Sequence, residues 1–292
     1  MSTDTMPEVA RSTQTTVEIA AAPETVWRAL TDPTELVRWF ALSAEVEPRS
    51  GGTVIWRWQD MYVWPSRIEI WEPLRQLRLA YVQASAADPK LPGQSDAAAK
   101  SGYELVMDFR LEPVGGATVL RLVHSGFGRD SSWDDEYDGV RRGWIVELAS
   151  LKHYLERHLG EQRSALWVFA RTGLTAASAW ARLVGGPDDT THFVRASGAD
   201  MTMRARAEVE TPVVVMRRDP GGDIVACVPS WNDALLRISF DPARGGVTAG
   251  VFVSLYGAPS AFDSAPPTRD DLVEVMRRAF PEEAEEIVVM ES

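Results

Sequence analysis

Pro23-Glu24-Thr25-Val26-Trp27-Arg28-Ala29-Leu30-Thr31-Asp32-Pro33-Thr34-Glu35-Leu36-Val37-Arg38-Trp39-Phe40 reads as two short helices in succession. Pro23 stands where a first helical turn tolerates a missing N–H, and Val26, Trp27 and Leu30 then fall on one helical face. Asp32-Pro33 ends that helix, because the residue before a proline is pushed out of the helical region. Residues 34–40 form the second helix in this reading. Ahead of the stretch, Thr15-Thr16-Val17-Glu18-Ile19 alternates as a strand does. Behind it, residues 54–58, 66–71, 76–83, 104–112 and 118–124 show period-two or continuous apolar character between Gly, Pro or Asp breaks. Their connections are mostly short, which makes the sheet largely antiparallel.

Residues 137–159 place Val140, Trp144, Leu148, Leu151, Tyr154 and Leu155 at helical spacing, and Gly160 stops the run. An antiparallel sheet with one apolar face must cover that face, and this long amphipathic helix is the element long enough to do so. The fold class is therefore α+β, a curved antiparallel sheet wrapped around a long helix. Such a grip leaves a cavity.

The opening stretch, Gly51-Gly52-Thr53 before a Trp-rich strand, residues 118–127 and Gly143-Trp144 together resemble the helix-grip (SRPBCC, START-like) superfamily. That superfamily includes plant pathogenesis allergens, START lipid carriers and aromatic cyclases. Within it, residues 15–159 resemble the group named after the C-terminal domain of the Hsp90 ATPase activator. The resemblance implies a helix-grip fold, and either a bound apolar ligand or a protein partner.

Composition bounds the remainder. A chain of 292 residues corresponds to about two domains, and 45% hydrophobic content suffices for a core in each. A formal charge of −12 argues against nucleic acid, which needs a clustered basic surface, and against anionic membranes. No run approaches the roughly 20 apolar residues of a membrane helix, and the first residues lack signal-peptide order, so a cytoplasmic location is expected. The single Cys227 excludes an internal disulfide framework and reads as a buried, inert thiol. Acidic stretches 130–138 and 282–286 read as solvated, the former near the N-terminus of the long helix.

In the second half, Ala176-Ala177-Ser178-Ala179-Trp180-Ala181-Arg182-Leu183 repeats the pattern of residues 23–30, with Trp180 at the place of Trp27. Gly245-Gly246-Val247-Thr248 echoes Gly115-Gly116-Ala117-Thr118, and Leu272, Val275, Met276 and Ala279 repeat the closing helix in shortened form. Self-similarity in this order predicts two copies of one fold. Residues 1–12 read as a disordered lead-in, 13–160 as the helix-grip domain, and 165–292 as a divergent, smaller second one whose cavity is either kept or lost. The junction is expected at 160–164, and residues 84–101 and 258–268 read as long loops.

Chemistry is sparse. Four histidines, His124, His153, His158 and His192, show no metal-like spacing, and neither a metal nor a cofactor is expected. His124 shares an alternating face with Leu120 and Leu122; the plainer expectation is a strand-end residue reaching solvent or backbone, the alternative a residue aimed at the cavity. The Gly-Gly pairs read as turns rather than phosphate loops. Aromatic residues are the stronger signal: the chain has 11 tryptophans, and Trp39, Phe40, Trp56, Trp58, Trp64, Trp71, Tyr81, Phe109, Phe127, Trp133 and Trp144 crowd the first half. A Trp buries on the order of 200 Å² and its N–H wants a partner, which suits a core or an apolar pocket with a polar handle. The expected cavity lining is Trp39, Trp56, Trp58, Trp71, Tyr81, Phe109, His124, Trp144 and Leu148, with Arg57 on the opposite face.

Three functions fit. The first is non-catalytic binding of a small hydrophobic or aromatic molecule. The second is a protein-interaction role, as the family resemblance implies, with a protein partner or a homodimer; the activator's separate N-terminal domain has no counterpart ahead of residue 13, which counts against chaperone activation. The third is a cyclase- or hydrolase-like enzyme, for which His124, Asp108, Glu104 and Tyr81 offer acid–base groups.

Overall fold

Asp32 ends one helix and starts the next: its N–H closes on Arg28 O at 2.8 Å while its carboxylate accepts from Thr34 N at 2.8 Å. The helices on either side are α1 (Pro23–Thr31) and α2 (Pro33–Leu36). The computed structural model describes residues 10–59, 62–82, 104–185, 193–197, 200–206, 209–218, 222–243, 245–282 and 287–292. The 84–101 loop and His192 lie outside them. The chain divides between Glu156 and Arg157 into two compact units.

In the first unit, β1 (Arg11–Ile19) precedes α1 and α2. Then come β2 (Ser43–Val46), β3 (Thr53–Trp58), β4 (Tyr62–Glu72), β5 (Gln76–Tyr81), β6 (Val106–Val114), β7 (Ala117–Phe127) and the long α3 (Asp134–Arg157). The strands form one sheet in the order β1-β7-β6-β5-β4-β3-β2, antiparallel at every pairing. This is the helix-grip fold.

Register decides which side chains meet the helix. The pairs Thr13↔His124↔Met107 and Thr15↔Leu122↔Phe109 stack across β1, β7 and β6, and Trp56↔Trp64 and Trp58↔Tyr62 across β3 and β4. With a side-chain period of two, these residues share one face. The two-residue Gly115-Gly116 turn between β6 and β7 has φ of +57° and +89°, the left-handed pair that such a tight hairpin needs. At Gly126 (φ +99°) an added Cβ would lie 2.1 Å from Glu104 O, so only glycine lets β7 pass there.

Several expected boundaries shift for physical reasons. β1 starts at Arg11, inside the expected lead-in, because Arg11 Nε donates to Gly128 O at 2.7 Å and its guanidinium pairs with Asp134 at 2.6 Å. The second helix stops at Leu36 rather than running to 40; the chain turns so that Trp39 goes inward, its Nε1–H on Ala29 O at 2.9 Å. β4 begins at Tyr62, well before the expected 66, and α3 begins at Asp134, three acidic residues complementing its N-terminal dipole.

The second unit runs β8 (Arg163–Thr172), α4 (Ala176–Leu183), β9 (Val184–Gly185), β10 (Val194–Ser197), β11 (Asp200–Arg206), β12 (Val209–Arg218), β13 (Ile224–Val228), β14 (Ala234–Ala243), β15 (Gly246–Tyr256), α5 (Arg269–Ala279) and β16 (Val288–Glu291). Its sheet order is β16-β8-β15-β14-β13-β12-β11-β10-β9. From β8 to β10 this retraces the β1-to-β2 order of the first sheet. Thr268 caps α5 reciprocally with Asp271, and Leu272, Val275 and Met276 are buried. The 258–268 segment carries a short 3-10 turn at Pro259–Ala261.

Packing, rather than propensity, holds α3. Gly139 and Gly143 each cost about 1 kcal/mol relative to Ala in a helix interior, while burying Leu148, Leu151 and Leu155 contributes roughly 1.5–3 kcal/mol apiece. A Cβ at Gly143 would meet nothing within 4 Å. Gly143→Ala is therefore expected to raise the stability of the first unit by about 0.5–1 kcal/mol in chemical denaturation; a destabilised variant would contradict the placement of this helix.

Candidate functional site

Alternation along β3 and β4 turns Trp56, Trp58, Tyr62 and Trp64 to the face that α3 covers, and the rings there touch in an unbroken run. Trp39 stacks on Phe40 at 5.0 Å between centroids, and Phe40 meets Trp56 at 5.0 Å, Trp58 at 5.1 Å and Trp144 at 5.6 Å. Trp58 continues to Tyr62 at 5.3 Å, Tyr62 to Trp64 at 5.8 Å and Trp64 to Tyr81 at 4.7 Å. Phe109 stands edge-on to Trp144 at 5.6 Å. Trp39, Phe40, Trp56, Phe109 and Trp144 are buried, whereas Trp58, Tyr62, Trp64 and Tyr81 keep part of their surface open. Leu148 is buried one turn beyond Trp144.

His124 lies at the centre of this face, against the plainer expectation of a strand end reaching solvent or backbone. It is 1% exposed, its ring 5.0 Å from Phe127 and 6.3 Å from both Trp64 and Trp144. Trp144 Nε1–H donates to His124 Nδ1 at 2.9 Å. An indole nitrogen can only donate, so Nδ1 is the acceptor and the imidazole carries its proton on Nε2. Burial pushes the imidazole down to about 3, which keeps the ring neutral. Its Nε2–H, together with the indole N–H groups of Trp56 and Trp64 and the Ser66 hydroxyl, finds no hydrogen-bond partner among the described residues.

Trp71 stands at the inner end of this face, in the row of Leu77 and Phe109. It lies nine residues along β4 from Tyr62, about 30 Å of strand at 3.3 Å per residue, and packs edge-on against Trp27 at 5.1 Å. Trp39 belongs to the inner end, with its N–H already satisfied by Ala29. Tyr62, Trp64 and Ser66 are the members that the aromatic reading left out of the lining. Their period-two spacing was the available signal, interrupted by Pro65.

The four acid–base groups are not brought together. Asp108 precedes Phe109 and so points to the outer face, held by Gln76 Nε2–H at 2.9 Å and Arg110 at 3.2 Å. Glu104 is exposed and pairs with Arg67 at 3.3 Å. Tyr81 stands beside Trp64 on the inner face, its phenol raised by desolvation and by the Glu136 carboxylate. Desolvation raises the Tyr62 phenol too. Arg57 is on the outer face as expected, paired with Glu45 at 2.8 Å. Among the described residues, no group of three or more His, Cys, Asp or Glu side chains is placed to hold a metal ion, and no helix is long and apolar enough to cross a membrane.

In the second unit, Cys227 is buried and its thiol donates to Asp233 at 3.2 Å; desolvation and that carboxylate push it up to about 12. This unit has a cleft of about 500 Å³ lined by α4 and α5, including Arg182, Leu183, Phe193, Val275 and Arg278. Both guanidiniums are engaged, Arg182 with Ala279 O at 3.2 Å and Arg278 with Glu274 at 4.0 Å.

The comparisons with known proteins fall on the first unit. The family described as Activator of Hsp90 ATPase homolog 1-like protein matches residues 20–156. Among curated proteins none matches the chain. Similar solved structures include the protein MLL2253 from Mesorhizobium loti, 25% identical over 50% of this chain and 98% of its own, with a TM-score of 0.41. The Aha1 dimer from Colwellia psychrerythraea is 22% identical over 50% and 96%, with a TM-score of 0.40. DynU16, from the dynemicin biosynthetic locus, is 16% identical over 94% and 96%, with a TM-score of 0.41.

Neutral, buried His124 gives a pH signature. Unfolded, the imidazole takes up a proton below about 6.5; folded, it does so only near 3. The folded state thus binds fewer protons in this window, and stability falls as pH drops through it. Between pH 6.5 and 5 the wild type is expected to lose roughly 1.5 kcal/mol more than His124→Gln. Equal losses in denaturation at the two pH values would place a titrating histidine at 124.

Proposed function

We propose that the first unit, whose residues 20–156 match the Activator of Hsp90 ATPase homolog 1-like family, binds a small hydrophobic or aromatic molecule, without catalysis, against the face lined by Trp56, Trp58, Trp64, Tyr81, Phe109, His124 and Trp144. The observation that carries this reading is the continuous run of ring contacts whose inner members are buried and whose outer members, Trp58, Tyr62, Trp64 and Tyr81, remain partly open. Ligand sites combine such apolar walls with a few polar groups, and offset or edge-to-face rings present the surfaces on which a further ring stacks.

The non-catalytic part of the reading is supported by His124, whose Nδ1 lone pair is already used by Trp144. The outer-face pairing of Asp108 and Glu104 supports it further. In this reading the second unit is a divergent copy of the first, on the strength of its retraced strand order. In this reading the protein works in the cytoplasm.

A second reading follows the family's description: the chain stimulates a chaperone ATPase through protein contact. The family match is the observation that favours it. Titrating polyketides, flavonoids and fatty acids while following Trp fluorescence separates the two. The binder reading expects at least one compound class to perturb the signal at micromolar concentration. Silence across the panel, with stimulation of an Hsp90 ATPase by the same preparation, would replace it by the second.

A further inference from the structure

Three buried N–H groups on the inner face of the first sheet have no acceptor among the described residues. Trp56 Nε1–H comes from β3, Trp64 Nε1–H from β4 and His124 Nε2–H from β7, and none finds a partner among the described residues. The three are neighbours. Trp56 and Trp64 are direct cross-strand partners, and the Trp64 ring stands edge-on to the His124 ring at 6.3 Å and 81°.

All three are donors only. Indole has no other hydrogen-bonding atom, and His124 is committed to the Nε2–H form because its Nδ1 accepts from Trp144 at 2.9 Å. Ser66 Oγ, also buried and without a partner among the described residues, sits on the same strand two residues from Trp64 and can donate or accept. Buried donors left unmade are costly, and most folded proteins carry few of them. Their concentration on one patch, under partly open aromatic rings, is the pattern of a site whose acceptors arrive with the ligand.

Resting on the binder reading above, we infer that this site selects planar aromatic molecules bearing carbonyl oxygens, such as aryl ketones and quinones, through hydrogen bonds from Trp56 Nε1–H, Trp64 Nε1–H and His124 Nε2–H. A carbonyl oxygen has two lone pairs and no proton to clash with the three donors. Ammonium groups and N–H-rich heterocycles present donors to donors and are rejected. Stacking on Trp58, Tyr62, Trp64 and Tyr81 supplies affinity for any flat ring system; the N–H groups supply the choice among them.

The test uses a pair of probes matched in shape, 9-fluorenone and fluorene, which differ in one carbonyl oxygen. Dissociation constants are measured by calorimetry on the full chain, and the indole N–H resonances are followed by NMR, assigned with the single variants Trp56→Phe and Trp64→Phe. The inference expects fluorenone to bind at least about tenfold more tightly than fluorene. It also expects the Trp56 or Trp64 indole proton to move downfield with fluorenone alone, a readout in the wild type that needs no variant to fold. Equal affinities with unmoved indole protons would overturn the donor inference and leave aromatic binding standing. If neither probe binds and the wider panel of flavonoids and polyketides is silent too, the binder reading falls and takes this inference with it.

Discussion

The bond from Trp144 Nε1–H to His124 Nδ1 joins the long helix to the sheet at the middle of the aromatic face. In net stability such a bond contributes only about 0.5–1.5 kcal/mol, less than the burial of a single leucine beside it. Its weight lies in what it selects. It fixes the imidazole tautomer, leaves Nε2–H without a partner among the described residues and agrees with a ring that burial keeps neutral. It also sets the depth at which the Trp144 ring meets Phe40 and Phe109. A second link from helix to fold runs through Glu35, which is buried and accepts from Tyr154 Oη–H at 2.5 Å and Arg38 at 3.1 Å. Together these bonds anchor α3 toward both ends of its buried stripe.

The same strands carry an opposite chemistry on their outer side. Arg67 and Arg78 converge on Glu69 at 3.0 and 2.8 Å, and Asp108 receives Gln76 and Arg110. The Arg78 hydrogen bond holds the Glu69 carboxyl below its ordinary range. Exposed pairs of this kind contribute about 0–1 kcal/mol each, so they do not explain why the sheet folds. They keep its outer face wet while alternation sends Phe109, Leu79 and Leu77 to the inner one. The division of labour is set by the side-chain period of two, and a one-residue slip would exchange the faces.

Much of this was legible in the sequence where a single period runs uninterrupted. Leu120, Leu122 and His124 alternate, and α3 keeps its apolar positions at helical spacing, so the sheet-and-helix architecture and most of its strands follow directly. The misses share a cause, which is that local pattern carries no tertiary partner. His124 reads as a polar strand end until Trp144 supplies its acceptor role. Trp71 reads as one more aromatic on β4 until its edge-on contact with Trp27 of α1 is seen. Pro65 hides the first residues of β4, although Ile55 opposite it tolerates a strand with one missing donor. Val37–Phe40 have helical composition, but the inward turn that seats Trp39 on Ala29 O outweighs it. In the second unit the strand order became visible only through pairing, since few residues repeat.

The central claim is the proposal that the inner aromatic face binds an acceptor-bearing molecule, since no described residue supplies an acceptor to Trp56, Trp64 or His124. Native mass spectrometry of the full chain purified from its own host addresses it most directly. The account predicts a non-covalent adduct of small-molecule mass, released on denaturation, with an aromatic carbonyl in its fragmentation pattern. A bare chain mass at every activation energy, together with a crystal structure in which protein groups close on Trp56, Trp64 and His124, would contradict it.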